Sequence, residues 1–365
     1  MLARRTLLAS ALALPACTTA PVRTAASAPP CLPRVRAEQG RIIRSVAGLR
    51  PWRAGGFVVR AEPLGAKRLI HNYGHGGGGI TLSWGSARLA VDLAQGMAGP
   101  VAVIGSGAVG LATARLAQDA GHAVTLYTAA LPPDTTSNIA GGQIVPTGHY
   151  EEGMVSAAWF AQYRAAMDYS WRRFQILAGD RYGINWVPTW QPAFRQPPDP
   201  ADPEAFLLAY QPAQSEFAAG SHPFGNRTLR RFDTMYVETG RYLDAMLSDF
   251  HLRGGRLVRR AFVDRQEVAA LPEPIVFNCT GLGARALFGD RDLVPVRGQL
   301  AILLPQPEID YAYAMGGGYM FPRADGILLG GTFERGEEDA TPVAADIAAI
   351  VAGHARIAAD WRCPA

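Results

Sequence analysis

Val101-Ala102-Val103-Ile104-Gly105-Ser106-Gly107-Ala108-Val109-Gly110 is the stretch from which the fold class is read. Its four leading apolar residues form the kind of strand that is buried on both faces of a parallel sheet. Gly105, Gly107 and Gly110 follow at the spacing of a dinucleotide fingerprint. The first glycine permits the turn, the second lets backbone approach a pyrophosphate, and the third lets helix and strand pack closely. Residues 108–120 have a helical apolar period through Val109, Ala112 and Leu116, Gly121 ends it, and residues 123–127 read as the next strand. The resulting β-α-β unit aims the free N–H groups and positive end of its helix at a phosphate. Gly105, Gly107, Ala108, Val109 and Gly110 are therefore candidate nucleotide-binding residues, since a bare glycine-rich turn would lack the flanking strand and helix. One part of the pattern is missing. An acid should close the second strand and bond the ribose hydroxyls, but the sequence there is Thr128-Ala129-Ala130, with no acid before Asp134. That argues against a plain NAD site and leaves the adenosine end unassigned.

Around this unit the chain has 365 residues, 48% hydrophobic and 18% charged, an ordinary globular composition with material for two intertwined domains. The net charge of +4 is small, and Arg4 and Arg5 supply half of it, so it gives no ground for a nucleic-acid partner. Arg4-Arg5 precede an apolar run, residues 7–14, that is too short to span a bilayer and has the form of a signal peptide. The twin arginine resembles the export signal of proteins that fold before crossing a membrane. Leu14-Pro15-Ala16-Cys17 resembles a lipobox that would lipidate Cys17; the alternative is ordinary cleavage nearby. Residues 18–33 are mostly Ala, Pro, Thr and Ser, a flexible tether. The expectation is an exported protein, periplasmic or lipid-anchored at the cell envelope, with residues 1–33 as signal peptide and tether. No Cys or His spacing suits a metal, and Cys279 in an apolar run reads as a buried thiol.

Elsewhere, residues 41–60 read as strands around a tight turn containing Gly48-Leu49-Arg50-Pro51, and residues 86–93 as a helix. Residues 134–142 read as a polar loop, 152–179 as a helix and 184–232 as irregular strands. A helix over 239–254, a buried strand over 275–278, further strands over 300–332 and a last helix over 346–361 complete the pattern. Its class is α/β.

Leu69-Ile70-His71-Asn72-Tyr73-Gly74-His75-Gly76-Gly77-Gly78-Gly79, with Gly85-Ser86-Ala87 five residues on, resembles the signature of the D-amino-acid oxidase family. So do Gly48-Leu49-Arg50-Pro51-Trp52-Arg53, Thr135-Thr136-Ser137-Asn138 leading to Gly141-Gly142, and Asn278-Cys279-Thr280-Gly281. Pro295-Val296-Arg297-Gly298-Gln299 and Tyr319-Met320-Phe321-Pro322 before Leu329-Gly330-Gly331-Thr332 agree as well. The resemblance spans residues 41–361 and implies a Rossmann-like FAD-binding domain with a mixed-sheet substrate domain. The expected division is 66–155 plus 236–294 for FAD, and 36–65 plus 156–235 plus 295–345 for substrate. Residues 346–365 would form a C-terminal helix and tail. The segments stand in a different order from the family's, whose chain begins with the glycine fingerprint and ends after the His-Asn-Tyr-Gly signature. That implies circular permutation, with residues 95–100 bridging the usual ends. It also brings Cys31 and Cys363 together, either as a disulfide restoring the lost connection or as two unpaired thiols.

The chemistry implied is oxidation of a D-amino acid to a 2-oxo acid and ammonia, with electrons passing through FAD to oxygen to give hydrogen peroxide. Arg50 is the candidate for the substrate carboxylate, because a guanidinium fork grips it with two parallel bonds; the plainer alternative is a structural ion pair. Tyr319 matches the family tyrosine that also meets the carboxylate, and Gly77 the residue whose carbonyl accepts from the substrate amine. Gly76, Gly78, Gly79, Ile80 and Thr81 are expected along the flavin ring, and Thr136, Ser137, Gly141, Gly142, Thr280 and Gly281 along the rest of the cofactor. His71 reads as a packing residue without a proton-transfer role. The family's second tyrosine is Met315 here, before Gly316-Gly317-Gly318, which implies a smaller or more mobile lid. Arg323 would either favour acidic side chains or face solvent. Rival readings are an acidic D-amino-acid or glycine oxidase, a dehydrogenase feeding a membrane acceptor, and a surface binding lipoprotein that has kept the fold.

Overall fold

The computed structural model describes residues 31–363 except Pro197; the signal peptide and the Cys17 lipidation site lie outside the described residues. In chain order the strands are β1 (Ile42–Arg53), β2 (Val58–Leu64), β3 (Lys67–Tyr73), β4 (Val101–Ile104), β5 (Val124–Thr128) and β6 (Ile184–Pro192). They continue with β7 (Ser215–Phe217), β8 (Leu229–Val237), β9 (Arg256–Arg259), β10 (Ile275–Asn278) and β11 (Leu293–Leu303). The last four are β12 (Ala312–Met315), β13 (Gly318–Arg323), β14 (Gly326–Gly330) and β15 (Glu334–Arg335). The helices are α1 (Ser83–Asp92), α2 (Ala108–Asp119), α3 (Thr136–Ile139), α4 (Ala157–Leu177), α5 (Thr239–Leu252), α6 (Arg265–Ala269), α7 (Gly283–Phe288) and α8 (Ala344–Ala359).

Six strands form one sheet in the order β2-β3-β10-β4-β5-β9, and all neighbours except β2 and β3 run parallel. Every residue of β4, β5 and β10 is buried, which is why these strands are continuous apolar runs. Helices α1, α2, α4 and α5 share one core with the sheet, built on Trp84, Leu111, Phe174, Tyr242 and Phe277. A nine-stranded sheet has the order β1-β11-β14-β13-β12-β6-β8-β7, with β15 also on β11. It is antiparallel except where β12 meets β6. A second core under it contains Trp190, Phe224, Tyr311 and Tyr313, and α8 contributes Ile347, Val351 and Ile357. The α/β architecture with a mixed second sheet is the one expected.

Three expectations change. Gly48-Leu49-Arg50-Pro51 is not a turn: it lies inside β1, which runs unbroken along β11 with Pro51 opposite Pro295. Strand β1 is an edge, so Pro51's missing N–H costs no ladder bond; the chain turns at residues 54–57 instead. Strand β2 pairs with β3 and so belongs to the six-stranded sheet, although residues 58–64 were expected in the substrate domain. Helix α4 likewise packs on α1 in the FAD-side core, where Trp159, Tyr163 and Phe174 bury its apolar face.

The described ends meet. Cys31 and Cys363 form a disulfide, with Cα atoms 4.9 Å apart across 332 residues of sequence. Trp361 Nε1 donates to the Leu32 carbonyl at 3.1 Å, and the Tyr311 hydroxyl donates to the Pro33 carbonyl at 2.6 Å. Closing so long a loop restricts the unfolded chain strongly. A Cys31→Ser/Cys363→Ser variant should therefore lose about 2–4 kcal/mol of stability. Its melting temperature should match that of reduced wild type. A non-reduced digest without a Cys31–Cys363 peptide would sink the assignment.

Candidate active site

A cavity of about 820 Å³ lies between the two sheets. One end is built by loops leaving the carboxyl ends of three adjacent parallel strands: Gly74–Gly79 after β3, Gly105–Gly110 after β4, and Cys279–Gly283 after β10. Of the residues singled out in the sequence, Arg50, Tyr319, Gly76, Gly77, Gly79, Ile80, Gly105, Gly107, Ala108, Val109 and Gly110 line it. So do Thr136, Ser137, Gly141, Gly142, Thr280 and Gly281. Gly78 and Thr81 do not reach the wall. The Gly78 N–H donates to the His75 carbonyl at 2.8 Å, and the Thr81 hydroxyl donates to the Gln143 carbonyl at 3.2 Å.

The cradle is organised by short polar bonds. Ala108 N–H donates to Ser137 Oγ at 3.0 Å, tying α3 to the start of α2. The first bond of α2 runs from Leu111 N–H to the Gly107 carbonyl, so the Val109 and Gly110 N–H groups precede any intrahelical partner. A Cβ on Gly107 would stand 3.0 Å from Ser137 Oγ, a tight contact to which the serine would have to give way. Asn278 Oδ1 accepts from both the N–H (3.2 Å) and the hydroxyl (2.7 Å) of Thr280, shaping the loop after β10.

At the other end, Arg50 projects from β1 across its partner strand. Its Nη1 donates to the Thr332 carbonyl at 3.2 Å, and its guanidinium lies 5.7 Å from the Phe333 ring. A Cβ on Gly298 would fall 2.2 Å from Arg50 Nη2, so only glycine at that point of β11 leaves room for the side chain. The Thr332 backbone is anchored in turn. Gln299 N–H donates to Thr332 Oγ1 at 3.1 Å, while Glu334 accepts from the Thr332 hydroxyl, from Gln299 Nε2 at 2.8 Å and from the Arg297 guanidinium. Those donors, Arg297 above all, hold the Glu334 carboxyl down at about 2. Gln299 Nε2 also donates to Asp346 of α8 at 2.7 Å.

Tyr319 stands beside Arg50 on β13, stacked on Phe321 at 4.6 Å. Burial pushes its hydroxyl up, and the Arg50 charge pulls it partly back. Strands β12 and β13 join through Gly316 and Gly317, both with positive φ, a two-residue turn that leaves no lid loop there. Met315 is buried in the core beneath α8. Arg323 is committed elsewhere: its guanidinium forks onto Asp325 at 2.7 and 2.8 Å and is not on the cavity wall.

Histidines near the site are buried and held neutral. His75 Nε2 contacts Ser86 Oγ at 2.8 Å, and burial brings its pKa down to about 3. His149 is likewise brought to about 3, and His354, beside Tyr313, to about 4. His71 lies between strands with Nδ1 3.0 Å from Asn278 Nδ2, off the cavity wall, consistent with a packing role. The Cys279 thiol is buried and pushed up to about 12. The motif around Gly298 carries no local sign that this residue makes space for Arg50. Nor does any local pattern mark Phe333, Arg260 and Phe262, whose place on the wall follows from sheet order.

The sequence model of a family described as "DAO: FAD dependent oxidoreductase" matches residues 23–93 and 100–358. A D-amino-acid oxidase of Dictyostelium discoideum is 29% identical over 264 residues, 68% of this chain and 70% of that protein. A D-aspartate oxidase of Homo sapiens is 28% identical over 253 residues, 66% of this chain and 71% of that protein. The crystal structure of glycine oxidase from Geobacillus kaustophilus shares the fold, with a TM-score of 0.53 at 17% identity over 73% of this chain and 80% of that one.

Two outcomes follow from the geometry. Gly298→Ala should displace Arg50 and raise KM at least tenfold while leaving bound flavin in place; an unchanged KM would show that Arg50 is not the carboxylate group. His75, His149 and His354 titrate in the folded protein well below the ordinary value of 6.5. Below that value the unfolded chain takes up protons that the fold does not, so stability is full above about pH 6.5 and falls on acidification. Urea midpoints that stay constant from pH 7.5 to pH 5 would contradict this.

Proposed function

The chain belongs to the DAO family of FAD-dependent oxidoreductases, with FAD as its cofactor, and on that footing we propose that it is a D-amino-acid oxidase. The observation carrying this reading is the meeting of the Arg50 guanidinium and the Tyr319 hydroxyl at the end of the cavity opposite the phosphate cradle. A carboxylate held bidentately by Arg50 would place the substrate's Cα and amine towards the Gly76–Gly79 loop, whose backbone would hold the flavin ring. When bound, FAD supplies the oxidising chemistry, accepting the hydride lost from Cα. The chain's own residues orient and exclude. Arg50 and Tyr319 fix the carboxylate, Gly77 receives the amine, and Phe333 covers the guanidinium.

Among the described residues, no side chain at the Arg50 end of the wall is poised as a general base. His75 is held neutral against Ser86, and burial raises Tyr319. The amine would therefore bind neutral, and hydride loss from Cα would leave an iminium ion that water would then hydrolyse to a 2-oxo acid and ammonium. Oxygen is the proposed final acceptor, giving hydrogen peroxide. The named activities of the two relatives support an amino-acid substrate in either case. With Arg323 paired to Asp325, no arginine or lysine on the wall among the described residues besides Arg50 and Arg260 favours an acidic side chain.

We also propose that the chain is circularly permuted and exported. The family model matches in two blocks separated by residues 94–99, while the relatives align over about two thirds of the chain. The Cys31–Cys363 disulfide ties the described ends, which a permutation would leave close together, and suits an oxidising compartment. The twin-arginine segment supports export, and a lipid on Cys17 would anchor the protein at the envelope.

The deciding experiment is an anaerobic flavin absorbance spectrum of the purified protein before and after D- and L-amino acids. D-isomers alone should bleach the flavin, and air should restore it with peroxide. Bleaching by L-isomers, or by none, would refute the reading. Arg50→Leu should bind flavin normally and lose at least a hundredfold in kcat/KM.

A further inference from the structure

The second strand of the dinucleotide unit ends without the acid that usually holds the adenosine ribose, and the structure shows what stands there instead. The cavity wall at this end consists of Thr128, Ala129, Ala130, Asp134, Arg260, Ala261 and Phe262. The strand end is closed on itself. Ser106 Oγ and Thr128 Oγ1 lie 2.9 Å apart, and both donate to the Ala130 carbonyl at 2.6 Å. Both hydroxyl protons are spent on that carbonyl, and none of the three oxygens carries the negative charge that makes a strong acceptor for the two O–H groups of a ribose.

Asp134 is free. The chain turns back after Ala130, closing a bond of 2.7 Å from Asp134 N–H to the Leu131 carbonyl, and this returns residue 134 to the rim of the same wall. Among the described residues it is the one carboxylate lining the cavity. Its side chain makes neither a hydrogen bond nor an ion pair within 4 Å there. The wall beside it is cationic and aromatic. Arg260 N–H donates to the Thr128 carbonyl at 2.8 Å, pinning the segment after β9 to the end of β5. The Arg260 guanidinium lies 4.6 Å over the Phe262 ring. That stack offers a flat cationic surface to a purine, but no acceptor for hydroxyl donors.

We propose that Asp134, supplied by the loop rather than by the strand end, is the group that binds the adenosine ribose hydroxyls of FAD. The inference rests on the FAD assignment and names how this chain meets a requirement its strand end does not. A carboxylate is the strong acceptor for such donors.

The test is flavin affinity, read by fluorescence quenching on apoprotein whose circular dichroism matches wild type. The probes are FAD, FMN, and FAD lacking the adenosine 2′-hydroxyl. Asp134→Ala should weaken FAD binding about tenfold to a hundredfold, as expected for a hydrogen bond to a charged group. FMN, which has no adenosine, should bind wild type and variant alike. The 2′-deoxy analogue should bind the variant as well as FAD does, while wild type should discriminate against it. Asp134→Asn, which keeps the shape, should lie between. The proposal is overturned if Asp134→Ala binds FAD as wild type does, or loses FMN equally. It is also overturned if only Arg260→Ala weakens FAD, which would move the adenosine contact to the Arg260–Phe262 stack. A wild-type protein that binds no flavin would instead refute the cofactor assignment, and this inference with it.

Discussion

Strand β10 lies between β3 and β4, pairing Ile275 with Arg68 and Val101, and Asn278 with His71 and Ile104. Those four pairings bring three distant stretches of chain to one edge of the sheet. Parallel strands all finish on the same side, so the loops after β3, β4 and β10 emerge together, which is where open α/β sheets bind ligands. The glycine run at residues 74–79, the fingerprint at 105–110 and Thr280-Gly281 become one wall for this reason. Asn278 serves at the same junction, meeting His71 on one side and Thr280 on the other. Because lateral pairing is indifferent to the order in which strands are made, the same wall can be assembled from a rearranged chain.

The substrate end depends on a different constraint, the closeness of β1 and β11. Arg50 can lie across β11 only because residue 298 has no side chain, and the Thr332 carbonyl then receives it. That carbonyl is steadied by Gln299 and Glu334, and Gln299 reaches Asp346 on α8. Helix α8 leads to Cys363 and so to the segment that begins β1. The disulfide, the C-terminal helix and Arg50 are thus parts of one connected region. The pieces on either side of the chain's ends hold each other in place.

Much of this was legible. The β-α-β unit, the buried strand at 275–278, the helices at 157–177 and 239–252 and the final helix all carry strong local patterns, and the structure contains them. Arg50, Tyr319 and most of the glycines were named from motifs, and the structure brings them to one cavity. The misreadings have local causes. Glycine and proline at 48–51 signal a turn, but on an edge strand both are tolerated within β1. Strand β2 was assigned to the wrong sheet because the hairpin after it, not its own composition, decides its partner. Thr81 was expected along the flavin ring, and its hydroxyl donates to the Gln143 carbonyl.

By itself, the sequence determined the elements and their chemistry, because periodicity, glycine spacing and apolar runs act over a few residues. It also contained the absence of an acid at Thr128-Ala129-Ala130. Only the tertiary structure decided what compensates. Asp134, Arg260 and Phe262 come from two separate loops, and they face the same space because β9 pairs beside β5. Likewise, Gly298 has no meaning until Arg50 is laid across it, and Arg323 could not be removed from the site until Asp325 was seen to hold it. Such relations depend on register between strands far apart in sequence, and no local pattern of residues encodes them.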